Sequence, residues 1–218
     1  MAARSGSIEF VEGTASDTPE IDAVLRAVDA ICRPGSFLNG EERLFVARAT
    51  REFRSGSTPS NALLPRAVVD AIRRLTLEPW TITDSHVFEW DIAGLHKLAY
   101  LEIVSVVARL TAVDSWTDGL GLPNARLPIR IDRGFPIAMV DRTARTTTAW
   151  VPTVGAPRAD TALSALPEEA ASVRDLLTAF YLPMDRVEHV GQPSGRLLSR
   201  PQIELIAART SSLNECFY

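Results

Sequence analysis

Lys97-Leu-Ala-Tyr-Leu-Glu-Ile-Val-Ser-Val-Val-Ala-Arg-Leu-Thr-Ala-Val-Asp-Ser-Trp-Thr-Asp-Gly119-Leu-Gly-Leu-Pro123 is the stretch whose reading decides the fold. Leu98, Leu101, Val104, Val107, Leu110 and Val113 hold the 3.6-residue period of a long helix, with Ile103 beside them. Gly119, Gly121 and Pro123 end it, as glycine after a helix and proline beyond it should. Glu102 and Arg109 interrupt the apolar run from Leu98 to Leu110, which is also too short to span a bilayer.

Upstream, Thr18 reads as an N-cap followed by Pro19 at the first helical position, with Ile21, Val24, Leu25, Val28 and Ile31 on one face and Pro34-Gly35 as the stop. Asn39 and Glu42 form a capping-box pattern for a second helix through Leu44, Phe45 and Ala47. A third follows Leu64-Pro65, and a short fourth lies between Thr83 and Gly94 with Val87, Phe88 and Ile92 as its apolar members. Residues 124–160 carry prolines 128, 136, 152 and 157 and read as a connector, with a short extended segment at Ile137–Val140. Helices resume near Pro167, with Val173, Leu176, Leu177 and Phe180 on one face. A last helix opens at Ser199, with Gln202 in the reciprocal capping position, and runs to about Leu213. The expected class is all-α: an arm at 1–17, a first helical unit at 18–123, the connector, and a second unit at 161–218.

Composition bounds the function. The 218 residues hold 23 Lys+Arg against 27 Asp+Glu, a net charge of −4, with 46% hydrophobic and 23% charged residues. That is the balance of a folded globular chain, and two cysteines cannot build a disulfide scaffold. Mild acidity argues against a nucleic-acid partner, whose footprint is a basic stripe. Met1–Phe10 has neither the apolar run of a signal peptide nor the arginines of a transit peptide, so the expected location is cytoplasmic. His86, His96 and His189 show no metal-ligand spacing, and no phosphate-binding glycine loop appears, so no metal or cofactor is expected. His86 and His96 read as surface or cap residues, Cys32 as a small core residue, and tryptophans 80, 90, 116 and 150 as packing anchors.

The chain also repeats itself. Leu38–Thr50 and Leu198–Thr210 align at an offset of 160 residues, with Phe45-Val46 opposite Leu205-Ile206 and a capping residue second in each, Asn39 or Ser199. The first copy is followed by some seventy residues of helical sequence; the second stops at Tyr218, and so reads as an incomplete unit.

These residues resemble the carboxymuconolactone decarboxylase and alkyl hydroperoxidase D (AhpD)-like superfamily, an all-helical fold. Its repeat places a glutamate twelve positions before the first cysteine of a Cys-x-x-Cys-x-x-x-His motif. Glu204 and Cys216 stand twelve apart here, and Asp91–Ala108 with the Asp118–Pro123 exit follow the pattern downstream of that motif. The resemblance implies that Glu204 is the carboxylate of a proton relay and Cys216 the resolving cysteine. It further implies a hydroperoxide substrate, a dithiol reductant and a homo-oligomer. The attacking residue and the relay histidine would be numbers 219 and 223, so the 218 residues alone are expected to show little peroxide turnover. In the first copy Gly56 and Leu44 occupy the matching positions, which makes that copy structural. A selenocysteine codon, which doubles as a stop, would end a conventional translation after Tyr218, and any codon other than UGA there ends that reading. Two other functions fit the helical pattern: a lyase of the decarboxylase branch, insensitive to thiol alkylation, and a noncatalytic helical module whose oligomers do not need Cys216.

Overall fold

A computed structural model describes residues 18–59, 64–131, 133–187, 189, 191 and 194–213. The expected arm at 1–17 and Cys216 lie outside them. The regular elements among the described residues are helices, with no strand, and the chain is all-α. The elements are α1 (Pro19–Cys32), α2 (Gly40–Arg54), α3 (Arg66–Leu77), a 3-10 turn (Pro79–Thr81), α4 (Asp84–Ile92), α5 (Lys97–Gly119), a second 3-10 turn (Ala159–Thr161), α6 (Pro167–Phe180), α7 (Met184–Val187) and α8 (Arg200–Leu213). Two compact units divide between Leu176 and Leu177, inside α6.

The helices start where their caps predict. The Thr18 hydroxyl accepts from the Ile21 N–H. At α2 the Asn39 side chain accepts from the Glu42 N–H at 3.1 Å while Glu42 accepts from the Asn39 N–H at 2.8 Å, so two orphan donors are satisfied reciprocally. Gln202 accepts from the Ser199 N–H at 2.8 Å, which gives α8 the same reciprocal half of the motif.

In the first unit α2 and α5 pack on each other and on both α1 and α3, and α4 packs on α3. Ile31, Val46, Ala47, Ala71, Ile72, Ile103, Val106 and Leu110 form the fully buried centre. In α4 Val87 is buried and Trp90 is in the core, as expected of a packing anchor, but the other apolar members Phe88 and Ile92 are exposed. Trp90 turns in because its indole N–H reaches the Asp70 carboxylate at 3.0 Å and its ring tilts against Tyr100. In α6 Leu176 is buried and Leu177 is exposed, so the two do not share a face.

Residues 124–160 contain no strand at Ile137–Val140, only an isolated bridge between Arg145 and Thr153. The segment lies on the first unit through backbone groups. The Gly40 N–H donates to the Arg133 carbonyl, the Ile137 N–H to Gly35 and the Ala138 N–H to Ser36, and the Arg48 guanidinium caps the carbonyls of Pro128 and Ile129.

The two charges that interrupt α5 are in the core. Arg43 on α2, Glu102 and Arg109 on α5, and Glu169 on α6 are all buried and joined in one network. One Arg43 nitrogen donates to Glu102 at 2.5 Å and to Glu169 at 2.8 Å, and the remaining N–H groups reach the carbonyls of Ile31 and Ala30 at the end of α1. Those carbonyls lack helical partners, and α1 has no basic residue in its last turn, so Arg43 caps it from the neighbouring helix. Glu102 also accepts the Phe37 N–H at 2.7 Å. Arg109 donates to Glu169, to the Ser172 hydroxyl at 2.6 Å and to the Ser105 carbonyl at 3.2 Å. Two cations and two carboxylates thus cancel in charge with their hydrogen-bonding capacity largely used, the condition under which buried ions are tolerated.

The two carboxylates differ in acid strength. Burial pushes Glu102 above the usual carboxylate range, more than Arg43 pulls it down. Burial acts the same way on Glu169, but Arg109 and Arg43 outweigh it and hold Glu169 below that range. Burial lowers the Arg109 guanidinium to about 10, which leaves it charged at neutral pH.

Gly35 passes directly over this network, and a Cβ there would collide with the Glu102 carboxylate and the Arg43 guanidinium. Gly35→Ala is therefore expected to lower stability by about 1–3 kcal/mol, the cost of overpacking, read as a lower urea midpoint; an unchanged midpoint contradicts the packing. Glu169→Gln removes the carboxylate that two arginines share and is expected to cost about 3–5 kcal/mol at neutral pH. Because the Glu169 pKa is depressed in the folded state, its contribution is present above the unfolded carboxylate pKa of roughly 4.3 and lost as pH falls through the folded value. The variant's stability should accordingly change less with acidification, as urea melts from pH 7 to pH 3 will show.

Candidate functional site

Among the sequence-derived site residues the structure places Glu204, one turn into α8. Its carboxylate accepts from the Tyr181 hydroxyl at 2.7 Å and from the Arg200 Nε at 2.5 Å, and the side chain is 42% exposed. Arg200 lies four residues earlier on the same face and is itself held by the carbonyls of Arg186 and Val187, at 2.7 and 3.3 Å. The carboxylate is thus oriented from two sides and open to water on the rest. Burial, and then the hydrogen bond to Glu204, raises the Tyr181 hydroxyl above its ordinary pKa. Tyr181 was not singled out from sequence, because nothing in the spacing of residues 181 and 204 pairs them. Cys216 lies outside the described residues.

The surroundings of α8 differ from those of its repeat partner. Val46 on α2 is fully buried, whereas Ile206, at the matching position, is 54% exposed. Leu205 and Leu213 are exposed as well, and α8 has no buried residue.

The remaining candidates resolve into structural roles. His86 Nδ1 accepts the Thr83 N–H at 3.1 Å and completes the α4 cap; His96 Nδ1 accepts the Leu98 N–H at 3.3 Å at the start of α5. Both are cap residues. No group of histidine, cysteine and carboxylate side chains suited to a metal ion occurs among the described residues. Of the tryptophans read as packing anchors Trp90 is in the core, but Trp80 and Trp150 are exposed, which corrects that reading for those two. No helix among the described residues is long and apolar enough to cross a membrane.

A groove of about 440 Å³ opens elsewhere in the first unit, lined by Asp84, Ser85 and Phe88 of α4, Lys97 of α5, and Thr146, Thr148, Ala149 and Trp150. Sequence reasoning passed over it, although a count offered a signal: Lys97 is the one lysine among 23 basic residues.

No protein-family model matches the chain, and neither a curated protein nor a solved structure matches it.

Cys32 packs partly buried against the core, and burial first, then the nearby Asp29 charge, push its thiol up to about 11. The thiolate is the reacting form. In a Cys216→Ser background, alkylation of Cys32 at pH 8 is expected to run roughly a hundredfold slower in the folded chain than in urea. Equal rates would contradict its placement.

Proposed function

We propose that this protein is an AhpD-like oxidoreductase of peroxidase type, working through a thiol or selenol, with Glu204 as the relay carboxylate and Cys216 as a redox thiol. The observation that carries the reading is the Glu204 carboxylate: half-exposed, fixed by Tyr181 and Arg200, and twelve residues before a cysteine. The all-helical class agrees with it. In such a reaction a hydroperoxide is reduced to an alcohol and water while two thiols become a disulfide. Two electrons and two protons leave the thiols; a carboxylate with a hydroxyl neighbour is suited to taking a thiol proton and returning it to the departing oxygen. Folded around its own buried ion network, the first unit supplies scaffold rather than chemistry in this scheme.

The test is the gene expressed together with whatever follows the Tyr218 codon, assayed for dithiol-dependent consumption of hydroperoxide. Consumption is expected, lost in Cys216→Ala and reduced about a hundredfold or more in Glu204→Gln, the range for removing a general acid–base group. No consumption, or consumption that both variants retain, overturns the proposal.

A second reading has its own support in the exposed Leu205, Ile206 and Leu213 of α8: a helical interaction module without catalysis. It requires association measured by sedimentation to be unchanged by Cys216→Ala and weakened by Ile206→Asp.

A further inference from the structure

We propose that the groove between α4, α5 and the loop at 146–150 is a binding site for a small aromatic carboxylate. Its volume of about 440 Å³ lies within the ordinary range for small-molecule sites. Two aromatic side chains line it, Phe88 at 60% and Trp150 at 46% exposure, and exposed aromatic rings in one groove offer faces for a flat ring. The hydroxyls of Ser85, Thr146 and Thr148 supply further donors and acceptors.

The cation decides the ligand's charge. The chain uses arginine for every other basic residue, and every salt bridge found among the described residues is made by an arginine. Lys97 alone is a lysine, forms no ion pair among those residues, and sits in the groove at the first turn of the 23-residue α5. An ammonium there, at the positive end of a helix, favours an anion. One oxygen of the opposing charge, Asp84, is engaged on its own helix, where it accepts the Ser85 N–H at 2.9 Å. A carboxylate on an aromatic ring satisfies both halves of the site: ring against Phe88 and Trp150, anion to Lys97.

The wall that carries Trp150 is preformed. Arg145 and Thr153 exchange both backbone hydrogen bonds, at 2.9 and 3.0 Å, and close the loop between them. The next residue, Val154, donates its N–H to the Ser164 hydroxyl at 2.8 Å. The aromatic face therefore need not be ordered by the ligand, which lowers the entropy cost of binding.

Because Lys97 is unique, protein labelled with isotopic lysine gives a single lysine side-chain signal by NMR, a direct reporter on the groove. Titration with 3-phenylpropionate is expected to shift it saturably, while 3-phenylpropionamide, lacking the charge, and 3-cyclohexylpropionate, lacking the aromatic ring, bind at least about three- to tenfold more weakly. Phe88→Ala and Trp150→Ala, both at exposed positions, should each weaken the acid roughly three- to tenfold. Lys97→Met, followed by tryptophan fluorescence, should erase the preference for acid over amide. A shift that does not saturate, equal binding of the three compounds, or binding that the variants leave untouched overturns the proposal.

Discussion

The first unit depends on four buried charges. Arg43, Glu102, Arg109 and Glu169 come from three helices, and Arg43 also holds the end of a fourth, α1. Taking ions out of water costs several kcal/mol each, so such a network adds little stability over a hydrophobic replacement of the same shape. What it adds is geometry. A guanidinium satisfied by two carboxylates and two carbonyls can sit in one arrangement only, which fixes the register of α2 against α5 and the seat of α6. Gly35 is required because no side chain fits between the loop and that network.

That constraint separates scaffold from chemistry. Its four side chains are closed off from solvent, so none can meet a substrate, and their acidities are set by burial and by one another. Two charged groups lie outside it: Glu204 beside Tyr181 and Arg200 in the second unit, and Lys97 in a groove that two exposed aromatics also line in the first. In both places a charged group is open to solvent beside elements held by their own hydrogen bonds, as a binding or proton-transfer site requires.

Much of the helical fold was legible because helix ends carry local signals. Thr18, Asn39 and Ser199 each mark a start that the structure reproduces, and Gly121, with positive φ just past the Leu120 cap, closes α5. Periodicity was less reliable about which way a side chain faces. Phe88 and Ile92, read as apolar members of α4, are exposed, whereas Trp90, read as a packing anchor, is in the core, where its indole N–H reaches Asp70. The ion network was missed for a related reason. Glu102 and Arg109 read as interruptions of an apolar run, yet they stand seven residues apart, two helical turns, and so share a face. Charges sharing a face of so apolar a helix point to buried partners. Glu204 was singled out by its distance from Cys216; Tyr181, which touches it, could not be, since that contact exists only once the chain between them has folded.

The claim that these four charges act as one clasp is tested most directly by a double-mutant cycle on Arg109→Met and Glu169→Gln, measured by urea unfolding at pH 7. The two groups share a hydrogen bond and a common partner in Arg43, so the double variant should be more stable than the sum of the single losses allows, with a coupling of about 1–3 kcal/mol. Losses that simply add would mean that the two residues act independently, and would contradict the account.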